Sequence, residues 1–370
     1  MPGTGTWPTS CPEPPPSSAV QPLLWAASSF GNPRVATVLL AGVVLLAGGY
    51  AFLNGFHDAS NSVATSVRTR ALTPSVAIVL ASFFNLLGAL VSTALAVVLT
   101  VRFVDLPAGP EGLGILMAGL LAACGWGVWT WWRRMPSSST HALVGGLVGS
   151  GAASTLVGGR NIAESYRLIW EQIALPLLLS PVIAFALAYL LVFPATWLMR
   201  YSSPRRGDAG NRIAQSVFTS AFSLGHGIQD GQRTMAVVVL ALLAAGQTGD
   251  TGIPLWVQLF AALALAGGTL FGGWRITHTL GYRLVRMDPL RGMSAQAVSS
   301  AMLFLGALWL HIPLSSTQTM TSAIVGAGTN QRFSTVRLIP LREILVTWLV
   351  TAPVTAVLGG IFLLALSPLL

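Results

Sequence analysis

From Val35 to Leu53 the chain carries no charged residue. A run of that kind is about what a helix needs to cross a bilayer. Comparable runs fall at 75–100, 112–132, 173–199, 253–273, 293–311 and 341–366. Only 8% of the residues are charged, against roughly a quarter in a soluble domain. The expected fold class is an all-α polytopic membrane protein, with the lipid bilayer as its solvent. The first apolar run is followed, where the pattern still says membrane, by Asn54-Gly55-Phe56-His57-Asp58-Ala59-Ser60-Asn61-Ser62. Polar groups at that depth are costly and mark function by default.

A related stretch, His226-Gly227-Ile228-Gln229-Asp230-Gly231-Gln232-Arg233-Thr234-Met235, returns half a chain later. It aligns Gly55 with Gly227 and Asp58 with Asp230. A second pair repeats at a different offset. Pro136-Ser137-Ser138-Ser139-Thr140 opens a short, Gly-rich segment ending near Gly151, and Pro313-Leu314-Ser315-Ser316-Thr317 opens one ending near Gly328. Both are too short and small-residued for ordinary spans. They predict broken or re-entrant helical hairpins with Ser and Thr at a helix N-terminus. Two polar sets, each in two copies, indicate an internal duplication around one site.

The organisation follows. Residues 1–33 are a Pro/Ser-rich tail expected to be disordered. Residues 34–199 form a first membrane repeat and 213–370 a second. Between them, 200–212 hold Arg200, Arg205, Arg206 and Arg212 against Asp208, which predicts a basic cytoplasmic linker. Trp126, Trp129, Trp131 and Trp132 before Arg133-Arg134 predict an aromatic belt at a membrane interface. The net charge of +9 is entirely an arginine excess, with no lysine in the chain. The arginines are scattered without an aromatic platform, so nucleic acid is not an expected partner. Cys11 and Cys124 form no CxxC pattern and imply no metal or disulfide framework.

Helix N-termini ending inside a membrane present free N–H groups and the positive end of the dipole. The hydroxyls of Ser138, Ser139, Thr140, Ser315, Ser316 and Thr317 add donors, making a site suited to a tetrahedral oxyanion held from both sides. Asp58 and Asp230 would repel that anion. They must therefore bind cations, carry protons, or bind a metal travelling with the anion. His57 is a candidate proton carrier, or else packs as a hydrogen-bonded histidine; the same choice holds for His141 and His226. Asn61, Gln229 and Gln232 suit either cation coordination or interhelical hydrogen bonds.

At these residues the chain resembles the inorganic phosphate transporter (PiT) family. The resemblance lies in Asn54 to Asn61 with Thr69-Arg70-Ala71-Leu72, in His226 to Met235, in the two hairpins, and in Gly272-Gly273-Trp274-Arg275. It implies two inverted-topology repeats, a homodimer, and phosphate at the repeat interface. It also implies symport with H+ or Na+, in which Asp58 and Asp230 are the carboxylates that transport depends on. The Ser-Thr sets would line the phosphate site, with Asn61, His57 and Gln229 near the coupling cation and Gln232 and Arg233 supporting it. No cofactor is implied beyond the co-transported ion. A divalent metal bound to phosphate, with Asp58 and Asp230 as candidate ligands, is a further form of the substrate. His57 and Gln229 stand where many members carry Asn, and Arg233 where Lys is common; losing the amides favours protons over sodium. The expectation is a phosphate importer, not an enzyme, in a prokaryotic inner membrane. Its rivals are a sulfate or arsenate transporter, a membrane-embedded lipid-phosphate enzyme, and a non-transporting phosphate sensor.

Overall fold

The structure, a computed structural model, describes residues 33–102, 106–159, 170–330 and 336–370. The expectation of a disordered tail falls on residues outside these, apart from Pro33. Twelve α-helices occur among the described residues. The first half holds α1 (Pro33–Arg68), α2 (Pro74–Val91), α3 (Ala94–Arg102), α4 (Pro110–Trp132), α5 (Ser139–Leu156) and α6 (Leu175–Met199). The second holds α7 (Pro204–Ala244), α8 (Leu255–Phe271), α9 (Trp274–His278), α10 (Pro289–Phe304), α11 (Ser316–Thr329) and α12 (Leu338–Leu366). Each helix of the first half has its counterpart six places on. Six of the described helices are long and apolar enough to cross a membrane, α10 with its π-helical extension to Trp309. α8 meets α9 and its π-helical continuation to Leu284 at 56°, a bent pair that makes a seventh span if the two cross together and a re-entrant loop if they do not.

The duplication is visible in the breaks as well as in the helices. α2 gives way to α3 at Ser92-Thr93, and α8 to α9 at Gly272-Gly273. The two hairpin helices begin alike. Ser138 caps α5 at φ −85°, ψ 112°, and its hydroxyl accepts from His141 N–H. Ser315 caps α11 at φ −83°, ψ 111°, and accepts from Gln318 N–H. An N-cap hydroxyl satisfies one of the four free donors of a helix start, and the others remain available.

The halves interlock rather than sit side by side. α1 lies on α8, where Gly55 meets the Leu265 carbonyl and Gly268 meets the Phe52 carbonyl. α7 lies on α2 by the same device, Gly227 against Asn85 O and Gly88 against Leu224 O. At the hairpins, α5 touches α12 through Gly149 and Ala356, and α11 touches α6 through Gly326 and Phe185. Small residues let helix backbones approach closely in lipid, where no hydrophobic force drives them together. Each of these pairs joins one half to the other. Around them, apolar side chains such as Leu190, Leu198 and Leu349 face outward, as lipid contact requires.

Three expectations change. The first span does not end at Leu53, because α1 runs on through the polar stretch to Arg68. A helix satisfies its own backbone, so the polar side chains need no break. Residues 204–212 are not linker but the first turns of α7, started by Pro204 in the first helical turn. Of the four tryptophans, Trp129 and Trp132 are exposed as a belt requires. Trp126 is instead buried, its Nε1–H shared between Ser137 Oγ at 3.0 Å and Thr351 Oγ1 at 3.1 Å.

A methyl group at Gly55 would collide with a backbone carbonyl of α8, which cannot rotate away. Gly55→Ala is expected to cost about 3 kcal/mol. A lowered thermal midpoint of the detergent-purified protein would read this. Gly49→Ala, where nothing lies within 4 Å, is expected to leave it unchanged.

Candidate functional site

α1 presents Asn54, Asp58, Asn61 and Thr65 at spacings of three and four, so they share one face, and Thr69 continues the stripe in the turn just past its end. α7 presents Gln215, Thr219, His226, Asp230 and Arg233 at spacings of four, seven, four and three, again on one face. All ten are buried. The two polar stripes face each other inside the bundle, and the carboxylates meet in the middle.

Asp58, 1% exposed, is held by the second half. Ser316 Oγ donates to its Oδ2 at 2.7 Å, and Thr317 Oγ1 to its Oδ1 at 2.9 Å. Asn61 Nδ2 donates to the Thr317 hydroxyl oxygen at 3.0 Å. The N-terminal Ser and Thr of α11, expected from the sequence to line an oxyanion site, here bind an acidic side chain of the other repeat. Asp230, fully buried, is held differently. Asn54 Nδ2 donates to its Oδ2 at 2.7 Å, and the Arg233 guanidinium lies 2.9 Å from its Oδ1 in an ion pair.

His226 joins the two acids. Its Nε2 lies 3.2 Å from Asp230 Oδ2 and 3.5 Å from Asp58 Oδ2. A chain of hydrogen bonds fixes its other nitrogen. The Thr269 hydroxyl donates to Leu265 O, so its oxygen must accept from Asn85 Nδ2, at 2.8 Å. That turns Asn85 Oδ1 towards His226 Nδ1, at 3.0 Å, and an acceptor there requires Nδ1–H. Nε2 therefore faces two carboxylate oxygens with either a lone pair or a second proton. Three electron-rich atoms cannot converge in a buried place without positive charge between them. The position takes a proton or a cation. Asp58, His226 and Asp230 have the donor set and spacing of a metal site, their ligand atoms all within 4.8 Å of one another. Carboxylates and one imidazole suit a divalent transition metal.

Two cavities flank the centre. One is lined by Tyr50, Asn54, His57, Thr130 and Ser137–Ser139. The other brings Thr140 from one hairpin, Pro313 from the other, and Arg233 to a common space. The buried Thr140 Oγ1 has no hydrogen-bond partner there.

The structure thus brings together Asp58, Asp230, Asn61, Arg233, Ser316 and Thr317. His57 stands at the edge, its Nδ1 3.7 Å from Asp58 Oδ1 and its Nε2 3.3 Å from Thr130 Oγ1. Ser138 and Ser315 serve as caps. Ser139 and Thr140 line the cavities without reaching Asp230 by any hydrogen bond. Gln229 bonds the backbone of Leu303, Ile312 and Leu314, fastening the approach to α11, and Gln232 accepts from Ala96 N–H to anchor α3. Sequence reasoning passed over Asn54, Asn85 and the bridging role of His226. Asn54 and His226 each precede an aspartate by four residues, which places them on its helix face; that spacing was the available signal.

Two interlocked repeats, with hairpin N-termini and buried acids at their shared centre, are a construction of membrane transporters. The sequence matches the phosphate transporter family (PHO4) over residues 54–210 and again over 201–359, and the chain belongs to that family. A probable low-affinity inorganic phosphate transporter of Rhizobium meliloti is 39% identical over 87% of this chain and 95% of its own length. One from Bacillus subtilis is 36% identical over 86% and 94%. A solved structure described as "The sodium-dependent phosphate transporter" superposes with a TM-score of 0.75 at 19% identity, covering 90% of this chain and all of that one. That likeness shows the shared fold. The family is one of transporters, which removes the lipid-phosphate enzyme from the readings.

Asn85→Leu removes the acceptor that orients His226. It is expected to destabilise the protein by about 1–3 kcal/mol, the penalty for orphaning buried polar groups, read as a fall in thermal midpoint. Gly210→Ala, where an added methyl meets nothing within 4 Å, is expected to leave the midpoint unchanged.

Proposed function

We propose that the protein imports inorganic phosphate across a prokaryotic plasma membrane by cation symport, through alternating access of its two repeats. The observation that carries this reading is the junction of Asp58 with Ser316 and Thr317, a carboxylate of one half bound by the hairpin of the other. The names of the relatives support phosphate over sulfate or arsenate. Phosphate would lie between the hairpin tips, where Thr140, Pro313 and the Arg233 guanidinium border one cavity. Free helix N–H groups and hydroxyls supply its donors, and the dipoles of α5 and α11 favour its charge. By analogy with other proteins of this construction, the chain works as a homodimer.

The membrane potential opposes anion uptake by about 2.3 kcal/mol per charge per 100 mV, so a positive charge must accompany it. The place for that charge is between His226 Nε2 and the two carboxylates. A proton suits it better than sodium, because an imidazole nitrogen is a poor partner for a hard cation. The same three ligands favour a second form of the substrate, phosphate carrying a divalent metal.

Labelled phosphate uptake into proteoliposomes tests the reading. Asp58→Asn and Asp230→Asn are each expected to lower uptake at least a hundredfold while the protein stays folded. Normal uptake by both would remove the carboxylates from the mechanism. Uptake in the wild type is expected to follow an imposed pH gradient, inside alkaline, and to ignore an imposed sodium gradient. Uptake that follows sodium alone would replace the proton in this account. Chelation of divalent metals is expected to reduce uptake if the metal-bound form is carried.

A further inference from the structure

The two halves superimpose in plan but not in charge. Asn61 stands three residues after Asp58, and Arg233 three residues after Asp230. In the first half, the surroundings of the carboxylate are oxygen-rich: the hydroxyls of Ser316 and Thr317 and the Asn61 amide oxygen, which is buried without a partner. Such a set can close on a small cation. In the second half, the corresponding hydroxyls of Ser139 and Thr140 make no bond to Asp230, and the guanidinium of Arg233 occupies its Oδ1 side instead. Arg233 Nη2 then donates to Leu314 O, the residue just before the second hairpin cap. Arg233 thus ties Asp230 to the second hairpin, and with Thr140 of α5 it borders the cavity on the side where symmetry with the first half would place an exchangeable cation.

The geometry points to Arg233 as a tethered counter-cation: it permanently fills the second half's cation position, leaving the centre with one exchangeable cation position instead of two. The charges add up accordingly. Asp58 and Asp230 supply two negative charges, Arg233 neutralises one, and its guanidinium does not lose a proton in proteins. One mobile positive charge balances the remainder. The inference rests on the symport reading for its functional consequence, the number of charges moved with each phosphate. Its structural core, a cation position occupied by a side chain, stands apart from the identity of the substrate.

The test uses the full-length protein and the variants Arg233→Asn, which copies the first half, Arg233→Lys, and the double variant Asp230→Asn with Arg233→Asn. In proteoliposomes, the potential at which phosphate flux reverses gives the charge carried per phosphate. Arg233→Lys is expected to keep the wild-type value, and Arg233→Asn to carry about one more positive charge. An Arg233→Asn protein with wild-type charge and only a raised KM for phosphate would make Arg233 a phosphate ligand and overturn the proposal. A second measurement does not need transport. The thermal midpoint of purified Arg233→Asn is expected to rise in sodium chloride over choline chloride at equal ionic strength, beyond any rise in the wild type. No additional rise overturns the proposal. If Arg233→Asn fails to fold, the double variant, which removes both charges, is expected to fold; failure of both would show that Arg233 packs rather than neutralises, and would also overturn it. Loss of phosphate uptake by the wild type would sink the symport reading and leave the thermal comparison standing.

Discussion

Two carboxylates buried in an apolar helical bundle set the terms for everything around them. An uncompensated buried charge costs several kcal/mol even after relaxation. Asp58 and Asp230 therefore dictate what must come near: hydroxyls, an amide, an imidazole and a guanidinium. The imidazole and guanidinium share α7 with Asp230, but the hydroxyls and the Asn54 amide come from other helices. Asp58 recruits its hydroxyls from α11, more than 250 residues along the chain. Asp230 recruits the amide of Asn54 from α1. The electrostatic demand is met only if the halves interlock, and the glycine contacts of α1 with α8 and α7 with α2 are the packing that permits it. Packing and charge thus solve one problem together. The same contacts that hold the halves in register bring the acids to a shared centre.

Much of this was legible in the sequence because the relevant signals are local. Apolar runs announce spans, and a polar residue inside one announces itself. The duplicated Ser-Ser-Thr segments showed where helices would begin, and Ser138 and Ser315 do cap α5 and α11 with nearly the same backbone angles. Pairings between helices were less legible. Nothing in the order of residues says that α11 serves Asp58 while α5 leaves Asp230 to an arginine. Helix boundaries failed for a related reason. Bounding the first span at Leu53 followed the apolar run alone, whereas a helix backbone is satisfied whatever its side chains are and this one continues to Arg68. For Gln229, whose amide suits either a cation or interhelical hydrogen bonds, the structure shows the second: it satisfies backbone groups on the broken path into α11.

The departure from symmetry is where function concentrates. A strictly duplicated site would hold two equivalent carboxylates with equivalent partners. Here one half offers oxygen ligands and the other offers fixed positive charge. Between them His226 is compelled by Asn85 and Thr269 to aim Nε2 at both acids. A centre of this kind changes its balance when one hairpin moves. Withdrawing α11 would strip Asp58 of two donors, and bringing α5 forward would offer the partnerless hydroxyl of Thr140 to whatever lies beside Arg233. Binding an anion between the tips and a cation between the acids would tie both movements to the same occupants.

The central claim is that a single oxyanion is enclosed by both hairpins at once. Arsenate, a tetrahedral oxyanion with anomalous X-ray scattering, gives the most direct measurement in crystals of the full-length protein. The account requires one arsenic peak, within hydrogen-bonding reach of Ser139 or Thr140 on one side and of Ser316 or Thr317 on the other. Two separate peaks, or a peak contacting one hairpin alone, would contradict it.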